Sequence, residues 1–144
     1  MASSHIAHDC LVGDNVILSN LATLGGHVKI GNWAILGGGV LVHQFTQIGE
    51  HSLIGGGFRA VQDVPPFIIA ANHPLEYKGL NIVGLKRRGF SKKDISLIKR
   101  AYKFFFSSGE NRKTAIERIK SELPATKVIQ NILDFIKHSN RGII

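Results

Sequence analysis

Along the first sixty residues, apolar side chains recur every six positions. Ile6, Val12, Leu18, Leu24, Ile30, Leu36, Val42, Ile48 and Ile54 form an unbroken register of branched aliphatics. The next residue is glycine at Gly13, Gly25, Gly31, Gly37, Gly49 and Gly55. Four places after each aliphatic stands a small or β-branched residue (Cys10, Val16, Ala22, Val28, Ala34, Val40, Thr46, Ser52), with Phe58 the large exception. A period of six fits no amphipathic helix, whose period is 3.6. It is the hexapeptide signature of a parallel β-helix. Each hexad supplies a short strand and a turn, and three hexads close one triangular coil. The aliphatic points into the prism and stacks on its equivalent one coil away. Glycine at the corner is expected to supply backbone angles that other residues avoid. Residues 6–59 predict three coils, rising roughly 5 Å each. So short a stack exposes strand edges at its N-terminal end, which predicts an oligomer or preceding coils.

Beyond the repeat the pattern changes twice. Gln62-Asp63-Val64-Pro65-Pro66 is turn-rich, and proline there is expected to end regular strand pairing. An irregular stretch is expected through Gly84. From Ser91 the periodicity becomes helical, with Ser91 as N-cap and Asp94 in the first turn. Ile95, Ile98, Tyr102, Phe105 and Phe106 follow at helical spacing. A second helix is predicted over about 111–123, broken by Pro124, and a third over about 125–139. The expected fold is therefore mainly β with an α C-terminal domain. It divides into β-helix coils over 1–60, a cap and basic linker over 61–90, and a helical domain over 91–144.

Charge separates the two parts. The chain of 144 residues carries a net +8, but residues 1–84 hold three basic and five acidic side chains and residues 85–144 hold fifteen and five. A basic module can hold nucleic acid, an anionic membrane or an acidic protein. Nucleic acid is disfavoured, because aromatic residues do not interleave with the basic ones in a reading motif. No apolar run reaches the ~20 residues of a membrane helix. The N-terminus lacks a basic stretch followed by an apolar one, so neither an integral membrane segment nor a signal peptide is expected. One cysteine, Cys10, excludes a disulfide framework and a cysteine-based zinc site. The expected compartment is the cytoplasm.

The chemistry-bearing residues collect at one corner of the prism. Of seven histidines, three fall together when residues eighteen apart are stacked. Ala7-His8-Asp9 lies under Gly25-Gly26-His27, which lies under His43-Gln44-Phe45. His5 ends the strand leading into this corner. His51 falls on a different corner, with Trp33 and Asn15, and His73 and His138 lie outside the repeat. A histidine here can take a proton from an attacking hydroxyl, Asp9 can hold the His8 imidazole in one tautomer, and a Gly26 N–H can reach an oxyanion. That set points to acyl transfer. The same three histidines with Asp9 could instead bind zinc, and a histidine on a repeat turn is often only a solvated turn residue.

Several of these segments resemble a known family. His5-Ile-Ala-His8-Asp9-Cys10, Gly26-His27, Val42-His43-Gln44-Phe45, Gln62-Asp-Val-Pro-Pro66 and Gly84-Leu-Lys-Arg-Arg-Gly-Phe90 look like the UDP-N-acetylglucosamine 3-O-acyltransferases of lipid A biosynthesis. The resemblance runs from about residue 5 to the C-terminus. It implies a left-handed parallel β-helix and a homotrimer with sites between neighbouring prisms. It implies transfer of a 3-hydroxyacyl chain from acyl carrier protein to the 3-hydroxyl of UDP-N-acetylglucosamine, with no metal or bound cofactor. By the same resemblance His8 is the general base, Asp9 its support and the Gly26 N–H the oxyanion donor. His5, His27, His43 and Gln44 line the sugar, phosphate and acyl pocket. Asn81 and Arg88 contact the nucleotide end, Arg87 the donor, and Gly56 sets acyl length in favour of a longer chain. Two departures stand out: the chain is about half the family's usual length, lacking the coils that supply an acidic substrate contact, and Val83 stands where an acidic residue is expected. The alternatives are a coenzyme A-dependent acyltransferase of the same architecture, and an inactive trimerisation or carrier-protein-binding piece.

Overall fold

A computed structural model describes residues 1–144. The chain divides into two compact units, Met1–Asn81 with His138–Ile144, and Ile82–Lys137.

The first unit is a left-handed parallel β-helix of about four turns. Its faces are three sheets in which all but the last two strands are parallel and two residues long. One contains β1 (His5–Ile6), β4 (Thr23–Leu24), β7 (Leu41–Val42) and β10 (Arg59–Ala60). The second contains β2 (Leu11–Val12), β5 (Lys29–Ile30) and β8 (Gln47–Ile48). The third stacks β3 (Ile17–Leu18), β6 (Ile35–Leu36), β9 (Leu53–Ile54) and β11 (Ile68–Ala71), and ends on the antiparallel β12 (Glu76–Leu80). Pairing follows the eighteen-residue step: Ile6 lies opposite Leu24, Val12 opposite Ile30, and Leu18 opposite Leu36. Leu24, Leu36 and Ile54 are fully buried on the prism axis, whereas Ile6 of the first turn is 50% exposed. The aliphatic column thus forms the core from its second layer upward.

Two expectations require correction. Pairing does not stop at Pro65-Pro66. Val64 bridges Ile48, and Ile69 and Ala70 pair with Leu53 and Ile54, completing a fourth turn. The step there is sixteen residues, not eighteen, so two residues are missing from the corner at Val61–Asp63. The C-terminal tail fills that gap. Asp63 bridges Ile143 in parallel, and its N–H donates to the Gly142 carbonyl. In lower turns the strand N–H at this place bonds a backbone carbonyl one layer up, as Lys29 N does to Thr46 O. At Gln47 the Asp63 carboxylate replaces that carbonyl, at 2.7 Å.

The second correction concerns glycine. The left-handed conformation sits three residues after each inward aliphatic, at Asp9, Asn15, Leu21, His27, Trp33, Gly39, Phe45, His51 and Gly57. The glycines that directly follow the aliphatics serve close approach. A Cβ on Gly31 would lie 2.5 Å from Glu50 N, and one on Gly49 would lie 2.3 Å from Pro66 N. The layers stack too tightly at these points for any side chain.

The second unit is helical. It begins with α1 (Ile82–Arg87), in a stretch expected to be a linker. The segment Gly84–Phe90 is a helix end: Gly89 is left-handed at φ 81°, Phe90 N donates to Leu85 O and Gly89 N to Lys86 O, the pattern of a Schellman cap. Lys86 and Arg87 in its last turn complement the helix dipole. Helix α2 (Lys92–Tyr102) is capped by Ser91, whose hydroxyl accepts from Asp94 N. A π-helical turn, Lys103–Ser107, follows. Helices α3 (Arg112–Glu122) and α4 (Lys127–Lys137) flank Pro124 as the sequence predicts. No helix is long and apolar enough to cross a membrane.

Candidate active site

The His8 corner is built by register. His27 N donates to His8 O at 3.0 Å, and Phe45 N donates to Gly26 O at 3.0 Å. These bonds bring His8, Gly26 and Gln44 into one column and Asp9, His27 and Phe45 into a second beside it. The left-handed backbone of Asp9 (φ 59°), which aspartate tolerates, turns its carboxylate back toward the preceding side chain. Asp9 Oδ2 lies 2.9 Å from His8 Nδ1. A carboxylate accepts only, so Nδ1 carries the proton and the lone pair is left on Nε2.

Gly26 lies directly over that ring. A Cβ there would stand 2.8 Å from His8 Nε2 and 2.7 Å from Cε1. Gly26 is buried, yet its N–H makes no hydrogen bond, although its carbonyl is used. Buried amide donors are nearly always paired, so this one is available to an incoming oxygen. A proton acceptor and an unpaired amide donor therefore belong to successive turns of one corner.

Asp9 faces two imidazoles, because His27 Nε2 is 3.7 Å from Oδ2. The hydrogen bond from His8, and next the charge of His27, hold the Asp9 carboxyl below the ordinary aspartate value. As pH falls, Asp9 therefore keeps its charge after ordinary carboxylates have taken up protons. Carboxyl-detected NMR titration should show a rise toward the ordinary value in His8→Ala, and a smaller rise in His27→Ala. Equal values in all three proteins would refute the shared carboxylate. His8, Asp9 and His27 also offer three donor atoms within 4.8 Å of one another, the grouping a metal could use. The close approach of Nδ1 to Oδ2 suits proton sharing between those two atoms.

The remaining candidates divide by place. His5, on β1, stands opposite Thr23 on the face leading into the corner. His43 Nδ1 is 3.1 Å from Gln44 O, which fixes its proton on Nδ1. Both His43 and Gln44 are exposed in the third layer of this corner. Gly56 sits at another corner, over Gly38, where a Cβ would meet Gly38 O at 3.2 Å. Asn81 is buried against the His51 corner, and its amide donates to His51 O at 3.0 Å. Arg87 and Arg88 belong to the helical unit; Arg87 is exposed, and burial, then the Arg87 charge, lowers the Arg88 value. One chain's prism thus unites His5, His8, Asp9, Gly26, His27, His43 and Gln44, while Asn81 and Gly56 lie at its other corners. Sequence reasoning assigned no role to Phe45 or Asp63. The signal for Phe45 was its place in the Asp9–His27 column. For Asp63 it was the slip of two residues in the repeat.

Comparison with known proteins identifies the family of the chain. Residues 63–144 match the family model described as UDP-N-acetylglucosamine O-acyltransferase, domain 2, and residues 9–44 match the bacterial transferase hexapeptide model. An acyl-[acyl-carrier-protein]–UDP-N-acetylglucosamine O-acyltransferase of Aliivibrio salmonicida is 51% identical over 97% of the chain and 53% of its own length. One from Paraburkholderia phymatum is 46% identical over the whole chain and 56% of its own length. The crystal structure of a UDP-N-acetylglucosamine acyltransferase from Bacteroides fragilis superposes with a TM-score of 0.96 at 43% identity, covering 99% of this chain and 56% of that one. The chain spans about half the length of the curated relatives it matches.

Proposed function

The chain belongs to the UDP-N-acetylglucosamine O-acyltransferase family, and on that premise we propose that it moves a 3-hydroxyacyl group from acyl carrier protein to the 3-hydroxyl of UDP-N-acetylglucosamine, the first step of lipid A biosynthesis. The observation that carries this reading is that Gly26, whose N–H is unpaired, packs directly over the His8 ring. His8 Nε2 takes the proton from the sugar hydroxyl as its oxygen attacks the thioester carbonyl. The carbonyl electron pair moves onto oxygen, where the Gly26 N–H meets it. Collapse restores the carbonyl, breaks the C–S bond, and the departing thiolate takes the proton back from His8. Asp9 holds His8 in the required tautomer throughout. The reaction needs no metal and no bound cofactor.

The other residues serve binding in this reading. His5, His27, His43 and Gln44 surround the sugar, phosphates and acyl chain. Arg88 meets the nucleotide end, where Asn81 also acts, and Arg87 meets the donor. Gly56 leaves room for a long acyl chain. Residues 82–137 carry fourteen Lys and Arg against five Asp and Glu, which suits an acidic carrier protein. The assembly is a homotrimer in the cytoplasm, with the open His8 corner of one prism closed by its neighbour. Leu11 and Leu41, 64% and 46% exposed on adjacent prism faces, supply apolar surface for that contact. Light scattering should return three times the 15.7 kDa chain mass; a monomer at micromolar concentration would refute the trimer.

The donor separates this reading from a coenzyme A-dependent enzyme. With UDP-N-acetylglucosamine present, 3-hydroxyacyl carrier protein should be consumed and acetyl-coenzyme A left intact. Turnover of acetyl-coenzyme A with none of the carrier protein would overturn the assignment.

A further inference from the structure

Phe45 stands in the corner without a place in the core. Its side chain is 53% exposed on the single chain, so packing within its own prism does not explain it. Its backbone is left-handed, at φ 64°, a conformation that a bulky residue adopts with difficulty. Glycine takes the equivalent position at the third corner, in Gly39 and Gly57, so the fold itself does not demand an aromatic there.

What the ring does touch is His27. The two rings are parallel, with centroids 4.7 Å apart and planes within 5°. His27 in turn meets the His8 ring edge-on, at 5.1 Å and 88°, and turns Nε2 toward Asp9. The second corner carries a similar ring column, Trp33, His51 and Phe67, but Asn15 stands where Asp9 stands here. Only the His8 corner joins its stacked rings to a carboxylate that serves a second imidazole.

We propose that Phe45 is a positioning residue: its ring fixes the plane of His27, so that Nε2 faces Asp9 and the carboxylate is held between His27 and His8. A free His27 would rotate about its ring bond, because 43% of its side chain is open to solvent. Asp9, itself 66% exposed, would then lose its second partner and swing away from Nδ1 of His8. The effect passes from Phe45 to His27, to Asp9, to the base. This inference rests on the acyl-transfer reading for its kinetic consequence, but not for its structural one.

The test uses the whole chain and reads both. Side-chain nitrogen NMR should show His27 with its proton on Nε2 in the unaltered protein and in Phe45→Tyr, and a mixture of both tautomers in Phe45→Leu. In the transfer assay Phe45→Leu should lower kcat about tenfold with KM for the carrier protein unchanged, as a small misplacement of a catalytic group does. Phe45→Tyr should restore the rate. In a His27→Ala background, Phe45→Leu should cost nothing further. An unchanged His27 tautomer in Phe45→Leu overturns the proposal, and so does a full second loss in the His27→Ala background. If the chain transfers no acyl group at all, the acyl-transfer reading falls, and the tautomer alone decides the role of Phe45.

Discussion

Replacing His8 by alanine should lower acyl transfer roughly 10³-fold, the scale on which a positioned general base acts, while leaving the fold unchanged. The His8 side chain is 73% exposed, and its polar partner is the neighbouring Asp9. Its removal should therefore shift the unfolding free energy by less than about 0.5 kcal/mol, as for an ordinary surface substitution. The residual rate would come from the Gly26 N–H and from substrate binding, neither of which passes through His8. Gly26→Ala provides the complementary loss. The added methyl would press on His8 Cε1 and Nε2 and must displace either the ring or the loop. Initial-rate assays on the two variants, with urea unfolding of each, separate loss of chemistry from loss of structure. A His8→Ala protein that kept most of its activity would remove the base from the mechanism.

The second large effect is on stability. Asp63→Ala should destabilise the prism by about 3 kcal/mol, from the loss of hydrogen bonds to a carboxylate and a buried N–H left unpaired. Asp63 is fully buried. Its carboxylate accepts from Gln47 N at 2.7 Å and from Ser139 Oγ at 2.5 Å. Removing it leaves the Gln47 N–H without an acceptor inside the fourth turn and unfastens the tail, which Arg141 also ties to Val61 O. Asp63→Asn keeps an acceptor for Gln47 N and should cost less. Urea midpoints measure the difference, and limited proteolysis should cut within residues 138–144 earlier in Asp63→Ala than in the unaltered chain. Equal midpoints for the two proteins would show that the tail does not hold the last turn.

Most of the prism was legible because a solenoid repeats one local rule. Nine aliphatics at one spacing fix which side chains point inward, and stacking by eighteen then places His8 under Gly26. The rule fails where the register slips. At Val61–Asp63 two residues are lost, the tail supplies the missing backbone, and a carboxylate stands in for a carbonyl. None of this is local in sequence, since Asp63 and Ser139 lie 76 positions apart. The repeat alone therefore points to a cap in place of the fourth turn, and to an end of strand pairing at the prolines. Glycine in a repeat suggests backbone freedom, whereas the tight spacing of layers is the reason for it here. Helix α1 is not legible, because six residues carry too little periodicity to be told from a loop. Within the candidate site, the His8 column was legible from spacing alone. The roles of Asn81, Arg87, Arg88 and Gly56 came from family resemblance, because no repeat places them at the His8 corner.

A corner built in this way should be competent for acyl transfer to a sugar oxygen. The direct measurement is to incubate the protein with 3-hydroxyacyl carrier protein and UDP-N-acetylglucosamine, then identify the products by mass spectrometry and two-dimensional NMR. The expected result is loss of the thioester and an ester at the sugar 3-oxygen. An intact thioester beside unmodified sugar nucleotide, from protein shown to be folded, would contradict it.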